Sequence, residues 1–140
     1  MNWGIDKFVR VGYCSCMNQT PDQIIRLFCD AWSHEDLDEI MGYFDDAAIY
    51  HNIPMEVQEG KENIRGFIEG FLSMASSIEF EILHQVAEGD VVMNERVDTL
   101  VMGENTIALP VMGIFELENG KIVKWRDYFD MGQLTGQQQG

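Results

Sequence analysis

The hydrophobic period of this chain changes near residue 76, and that change restricts its fold more than any other feature. Before it, apolar residues recur at helical spacing: Ile24, Phe28 and Ala31, then Leu37, Ile40, Met41 and Phe44, then Ile64, Phe67, Ile68 and Phe71. After it they alternate, as in Ile78, Phe80 and Ile82 against Glu79 and Glu81, which is the period of a strand. Helix starts are written locally. Thr20-Pro21-Asp22-Gln23 offers a cap, a proline suited to the first helical position and a capping box. Ser33 to Asp36 restarts a second helix, and a third spans about 61–75. Residues 47–52 read as a short strand closed by Pro54.

Turn signals divide the rest into strands. Glu88-Gly89-Asp90, Gly103-Glu104-Asn105 and Glu118-Asn119-Gly120-Lys121 bound strands over 91–102, 106–118 and 121–131. Asn119-Gly120 is the strongest of these signals, because both residues tolerate the positive φ of a type I′ turn. On 106–118, Ile107, Leu109, Val111, Phe115 and Leu117 share a face. Helices with one strand among them, then a four-strand antiparallel meander, predict an α+β fold with a curved mixed sheet around helices. The 140 residues suffice for one core. Residues 19–134 read as a single domain, 1–18 as an extension and 135–140, rich in Gly and Gln, as a flexible tail.

Within the strands, three segments carry polar residues two apart on an inward face: Tyr50-His51-Asn52, Arg96-Val97-Asp98 and Trp125-Arg126-Asp127. In the last, Val123, Trp125, Asp127 and Phe129 share a face, so a carboxylate interrupts an apolar row. A buried carboxylate is costly unless paired, and Arg96 and Asp98 are the available partners. In a curled sheet these side chains converge in a pocket walled by Trp32, Phe71, Leu100, Leu109, Val111 and Phe129. Two aspartates around one guanidinium have a chemical use. In a poorly solvated pocket they do not ionise together, so one serves as general acid and the other as general base. Tyr50 and Asn52 can hold a water beside the base. The residues alone also allow a purely structural ion-pair network.

Composition narrows the partners. A net charge of −15 argues against nucleic acid and against anionic membrane surfaces, and suits a neutral small molecule. No apolar run reaches the length of a membrane span, and charges at Asp6, Lys7 and Arg10 interrupt any signal-peptide core. Cys14, Cys16 and Cys29 match no redox or zinc spacing and read as free thiols of a reducing cytoplasm. His34, His51 and His84 show no metal-ligand spacing.

Tyr50-x-Asn52-x-Pro54, Asn94-Glu95-Arg96-Val97-Asp98 and Trp125-Arg126-Asp127-Tyr128-Phe129-Asp130 together resemble the limonene-1,2-epoxide hydrolase family, from about Thr20 to Asp130. The resemblance implies the cone fold of ketosteroid isomerases, a homodimer, and no metal or organic cofactor. It also implies one-step hydrolysis of a small apolar epoxide. Asp127 would then deprotonate a water held by Tyr50 and Asn52, Asp98 would protonate the epoxide oxygen, Arg96 would bridge the carboxylates, and Trp125 would stand beside the site. Trp32 and Phe71 are bulkier, and Ala75 smaller, than the resemblance leads one to expect at the pocket wall. A polyketide cyclase or isomerase, or a non-catalytic binding module, would use the same fold differently.

Overall fold

A computed structural model of the protein describes residues 19–139, with side chains as far as Thr135; the extension over 1–18, with Cys14 and Cys16, lies outside the described residues. Helix α1 (Pro21–Ala31) begins as its sequence demands. The Gln23 amide donates to Thr20 Oγ1 at 3.2 Å while the Thr20 amide donates to Gln23 Oε1 at 2.9 Å, closing the capping box. A 3₁₀ turn (Trp32–His34) leads into α2 (Leu37–Met41), capped by the Asp36 carboxylate on the Glu39 amide at 3.2 Å. Phe44, expected on that helix, instead opens strand β1 (Phe44–Asn52). Gly42 and Tyr43 close the helix by bonding back to Asp38 and Ile40, which frees Phe44 to pair with Ile122. Strand β2 (Gln58–Glu59) and helix α3 (Lys61–Met74) follow.

The meander is β3 (Ser77–Glu88), β4 (Val91–Met102), β5 (Asn105–Glu118) and β6 (Lys121–Tyr128). Asn119 and Gly120 take φ of 52° and 79°, the two positive angles of the expected turn. The sheet order is β2-β1-β6-β5-β4-β3, open at both edges, with β1 parallel to β6 and every other pair antiparallel. An α+β fold with a curved, unclosed sheet around helices is therefore what this sequence forms.

Two irregularities redirect the faces. Glu116 pairs with Lys124 and Leu117 with Ile122, so Val123 is the extra residue of a bulge. Ile122 consequently points into the core in place of Val123, the residue that strict alternation predicted. On β3, Ile82 pairs with Arg96 and His84 with Glu95, so Leu83 bulges and Gln85 turns inward opposite Asn94.

The core lies between α1 and the sheet. Phe28 is its centre, meeting Phe44, Phe115 and Trp125 edge-on at centroid separations of 5.6, 6.0 and 5.1 Å. Such edge-to-face pairs add about 0.5–1.5 kcal/mol each beyond the area they bury. No described helix is long and apolar enough to cross a membrane. After β6 the chain forms α4 (Met131–Gln139), which the Gly- and Gln-rich composition did not suggest. Asp130 starts it, its carboxylate accepting from the Gly132 amide at 2.8 Å.

Candidate active site

Strand register places a polar row across the sheet: Gln85 on β3, Asn94 on β4, Gly113 on β5, Asp127 on β6 and Asn52 on β1 are successive cross-strand neighbours. The row beside it is aromatic, with Phe115, Trp125 and Tyr50 paired in the same way. Tyr50 stacks on Trp125 at 4.1 Å and Phe115 on its other side at 5.3 Å, so the indole cannot rotate. That fixes its N–H on Asp127 Oδ1 at 2.6 Å.

Arg96 lies over the gap left by Gly113 and is fully buried, with 0% exposure. Its Nε and Nη2 donate to the two oxygens of Asp98 at 2.9 and 2.8 Å. Nη2 also donates to Asp127 Oδ2 at 2.8 Å, and Nη1 to Asp127 Oδ1 at 3.3 Å and to Asn94 Oδ1 at 3.1 Å. A guanidinium has five N–H donors, and these five contacts use all of them. Its face is covered by the Phe80 ring, 4.9 Å from the guanidinium carbon. Burial pulls the Arg96 pKa down, but the charges of Asp127 and Asp98 outweigh it and hold it well above the usual value.

Burial raises the Asp98 carboxyl from 3.8 to about 6, against the lowering pull of Arg96 and with further help from the Asp127 charge. Burial likewise raises the Tyr50 phenol, which stays a donor and bonds Asn52 Oδ1 at 3.3 Å. Behind Asn94, the Cys29 thiol is pushed up to about 12 by burial, which leaves it unreactive.

Asp98 and Asp127 both open onto one cavity of about 690 Å³. Of the residues the sequence nominated, Tyr50, Asn52, Phe71, Leu100, Leu109, Val111 and Phe129 also line it. Arg96 and Trp125 stand behind the wall, in contact with the carboxylates rather than with the open space. Trp32 stands behind it too. It is buried against Phe80 in a stack of 4.7 Å, and Phe80 presents its own ring to the cavity. The wall also takes Phe67 and Gly70 from α3 and Leu134 and Thr135 from α4.

Sequence reasoning gave Asn94, Gln85 and Gly113 no role in the site. Asn94 had a signal, since it lies two residues before Arg96 on the same face. Gly113 had one also, as a glycine inside an otherwise apolar alternating row marks a close approach. Among the described residues no cluster of His, Cys, Asp and Glu could hold a metal ion.

Residues 19–139 match the limonene-1,2-epoxide hydrolase catalytic domain. The chain belongs to the limonene-1,2-epoxide hydrolase family. Epoxide hydrolase EphG of Mycobacterium tuberculosis is 30% identical over 109 residues, which span 76% of this chain and 71% of that one. An LEH-like epoxide hydrolase structure from M. tuberculosis superposes with a TM-score of 0.70 at 28% identity, covering 82% of this chain and 86% of its own. A Catenulispora acidiphila protein with a ketosteroid isomerase-like fold gives a TM-score of 0.74 at 19% identity, over 81% and 90% of the two chains, which shows the fold. Epoxide hydrolysis is thus the family's chemistry.

Proposed function

We propose that this protein adds water to a small apolar epoxide, cyclic or terpene-like, to give a vicinal diol in one step without a covalent enzyme intermediate. One observation carries the reading: two carboxylates share one fully buried guanidinium, and both face a single largely apolar cavity. Asp127 is the base. Trp125 and Arg96 fix its oxygens, and Asn52, its neighbour across the strands, helps Tyr50 hold the attacking water. Asp98 is the acid, since burial keeps its carboxyl protonated further toward neutral pH than a solvated aspartate.

As the water oxygen bonds to an epoxide carbon, its proton passes to Asp127. The C–O bond breaks, and the ring oxygen takes the proton of Asp98. Asp127 ends protonated and Asp98 ionised, and a proton returned through solvent restores the starting pair. Leu100, Leu109, Val111, Phe71 and Phe129 supply the apolar surface against which the substrate packs.

Diol formation from limonene oxide, cyclohexene oxide and styrene oxide, measured with EDTA present, tests the reading. Diol from the natural protein and at least ~10³-fold less from Asp127→Asn is the expected result, since removing one member of a catalytic pair costs about that much. Full turnover by a folded Asp127→Asn protein would refute the mechanism, and inhibition by EDTA would refute cofactor independence. Enolate chemistry on this fold needs one base and an oxyanion partner, and would leave the second carboxylate on Arg96 without a task.

A homodimer is the second part of the proposal. Met93, Met112 and Tyr128 on the outer sheet face are supporting features, each more than a third exposed. Light scattering that returned the mass of one 16.0 kDa chain would refute it.

A further inference from the structure

We infer that Asn94 and Gln85, neither of which reaches the cavity, are positioning residues that set the plane of the Arg96 guanidinium and so the placement of Asp98 against Asp127. The inference rests on the reading of these two aspartates as acid and base.

The argument begins at the far end of a hydrogen-bond chain. Gln85 Nε2 donates to the backbone oxygen of Asp22 at 3.0 Å and to its Oδ1 at 2.8 Å. Both are acceptors only, so the Gln85 amide can be turned only one way. Its Oε1 then faces β4 and accepts from Asn94 Nδ2 at 3.0 Å. That in turn fixes Asn94, whose Oδ1 is left pointing at Arg96 Nη1 at 3.1 Å. Orientation therefore passes from a backbone carbonyl in the first turn of α1 through two amides to the guanidinium. The same Nη1 bonds Asp127 Oδ1 at the longest distance of the five, 3.3 Å.

Asn94 thus takes the one guanidinium N–H that no carboxylate uses. With Oδ1 in place, Arg96 is held flat between the aspartates. With an N–H₂ or a methyl group there, the guanidinium loses its fifth acceptor and moves toward Asp127. Its fork on Asp98 then opens. The bulge at Leu83 gives independent support, because it alone turns Gln85 inward at this level.

Other titratable groups around the centre are Cys29 from α1, Tyr50 from β1 and Asp127 from β6. From β3 and β5 the neighbours Phe80, Ile82, Val111 and Gly113 do not titrate.

The test uses Asn94→Leu and Gln85→Met, with two readouts: turnover of an epoxide the natural protein accepts, and the carbon-13 titration of the Asp98 carboxyl. For Asn94→Leu, kcat falls at least about tenfold, the effect of losing one hydrogen bond to a charged group, and KM changes by less than about twofold. The Asp98 midpoint moves to higher pH, because the open fork stabilises its ionised form less. Gln85→Met gives a smaller shift in the same direction.

A merely structural role would lower the melting temperature and leave the midpoint and the pH profile where they are. An unshifted Asp98 midpoint in folded Asn94→Leu overturns the inference. If that variant fails to fold, an unshifted midpoint in Gln85→Met does so. Should the natural protein hydrolyse no epoxide, the functional reading fails while the titration still decides the relay.

Discussion

Replacing Gly113 by alanine puts one carbon atom where the site has no room for it. A Cβ there would lie 2.6 Å from Arg96 Nη1, 2.6 Å from Asp127 Oδ1 and 3.3 Å from Asn94 Oδ1. Contact at about 3.4 Å is ordinary, so the first two atoms must each retreat by roughly 0.8 Å. Neither is free to do so. Arg96 is held by five hydrogen bonds, and Asp127 Oδ1 is pinned by the Trp125 N–H. The retreat stretches the Nη1 contacts to Asp127 and Asn94 past hydrogen-bond length, at about 1.5–3 kcal/mol for each such bond to a charged group. Alanine's smaller loss of backbone entropy returns about 0.5–1 kcal/mol. The net cost is about 2–5.5 kcal/mol, which for a domain of this size lowers the melting temperature by roughly 7–20 °C. Turnover falls about 10²-fold, because the base moves by nearly 1 Å. Thermal melts with diol assays check both numbers. Gly66→Ala is the control for the melts: nothing lies within 4 Å of its Cβ, and helix propensity predicts a gain of up to about 1 kcal/mol. A Gly113→Ala protein that melts and turns over like the natural one would refute the packing argument.

Asp98 gives the chain a pH dependence with a defined sign. Its folded pKa is raised to about 6, so between roughly pH 4 and 6 the folded state binds more protons than the unfolded state. Stability therefore falls as pH rises through that window, by on the order of 2–3 kcal/mol, and kcat/KM falls above about pH 6 as the acid ionises. Asp22, whose carboxyl is held below its usual range by Gln85, contributes in the opposite sense, its stabilisation being lost on acidification. Urea midpoints of the natural protein and Asp98→Asn across this range check the sign; equal pH dependence in the two would refute it. Trp125→Phe keeps the ring between Tyr50 and Phe115 but deletes the 2.6 Å donor to Asp127, and kcat should fall about tenfold with KM little changed. Unaltered turnover would show that the indole N–H does not position the base.

Where local chemistry decided the outcome, the sequence was readable. The capping box at Thr20 and the turn at Asn119-Gly120 formed as written, and the change of period near residue 76 separates the helices from the meander. Alternation also put Arg96 and Asp98 on one inward face, although the same rule applied to Asn94 was not followed through. What escaped depends on register. A bulge carries no residue signature, so nothing in Leu83 or Val123 announced that Gln85 and Ile122 would turn inward in place of their neighbours. The wall expected from sequence includes Trp32, and the short 3₁₀ turn places it behind Phe80. Helix α4 has almost no amphipathic pattern to detect. Its start rests on a single capping carboxylate, Asp130, and Leu134 and Thr135 on it complete the cavity wall.

On the proposed mechanism, the charge of the buried cluster accounts for an acid that is loaded before substrate arrives. With both aspartates ionised, Arg96 and its two partners carry a net −1 in a poorly solvated space. With one proton added the cluster is neutral, and burial favours the neutral form. Burial raises the Asp98 carboxyl to about 6, and the proposed mechanism assigns that proton to Asp98. There the guanidinium is a bidentate partner, whereas Asp127 accepts from the indole as well as from Arg96 at both oxygens. An apolar substrate that displaces water from the cavity strengthens this bias, because it removes the solvent that would have stabilised the extra charge. Substrate binding and proton loading thus push in the same direction. The apparent pKa of Asp98 should rise further in the presence of an unreactive apolar ligand such as cyclohexene. Carbon-13 titration of its carboxyl with and without that ligand measures the shift, and a lower midpoint in the complex would refute the coupling.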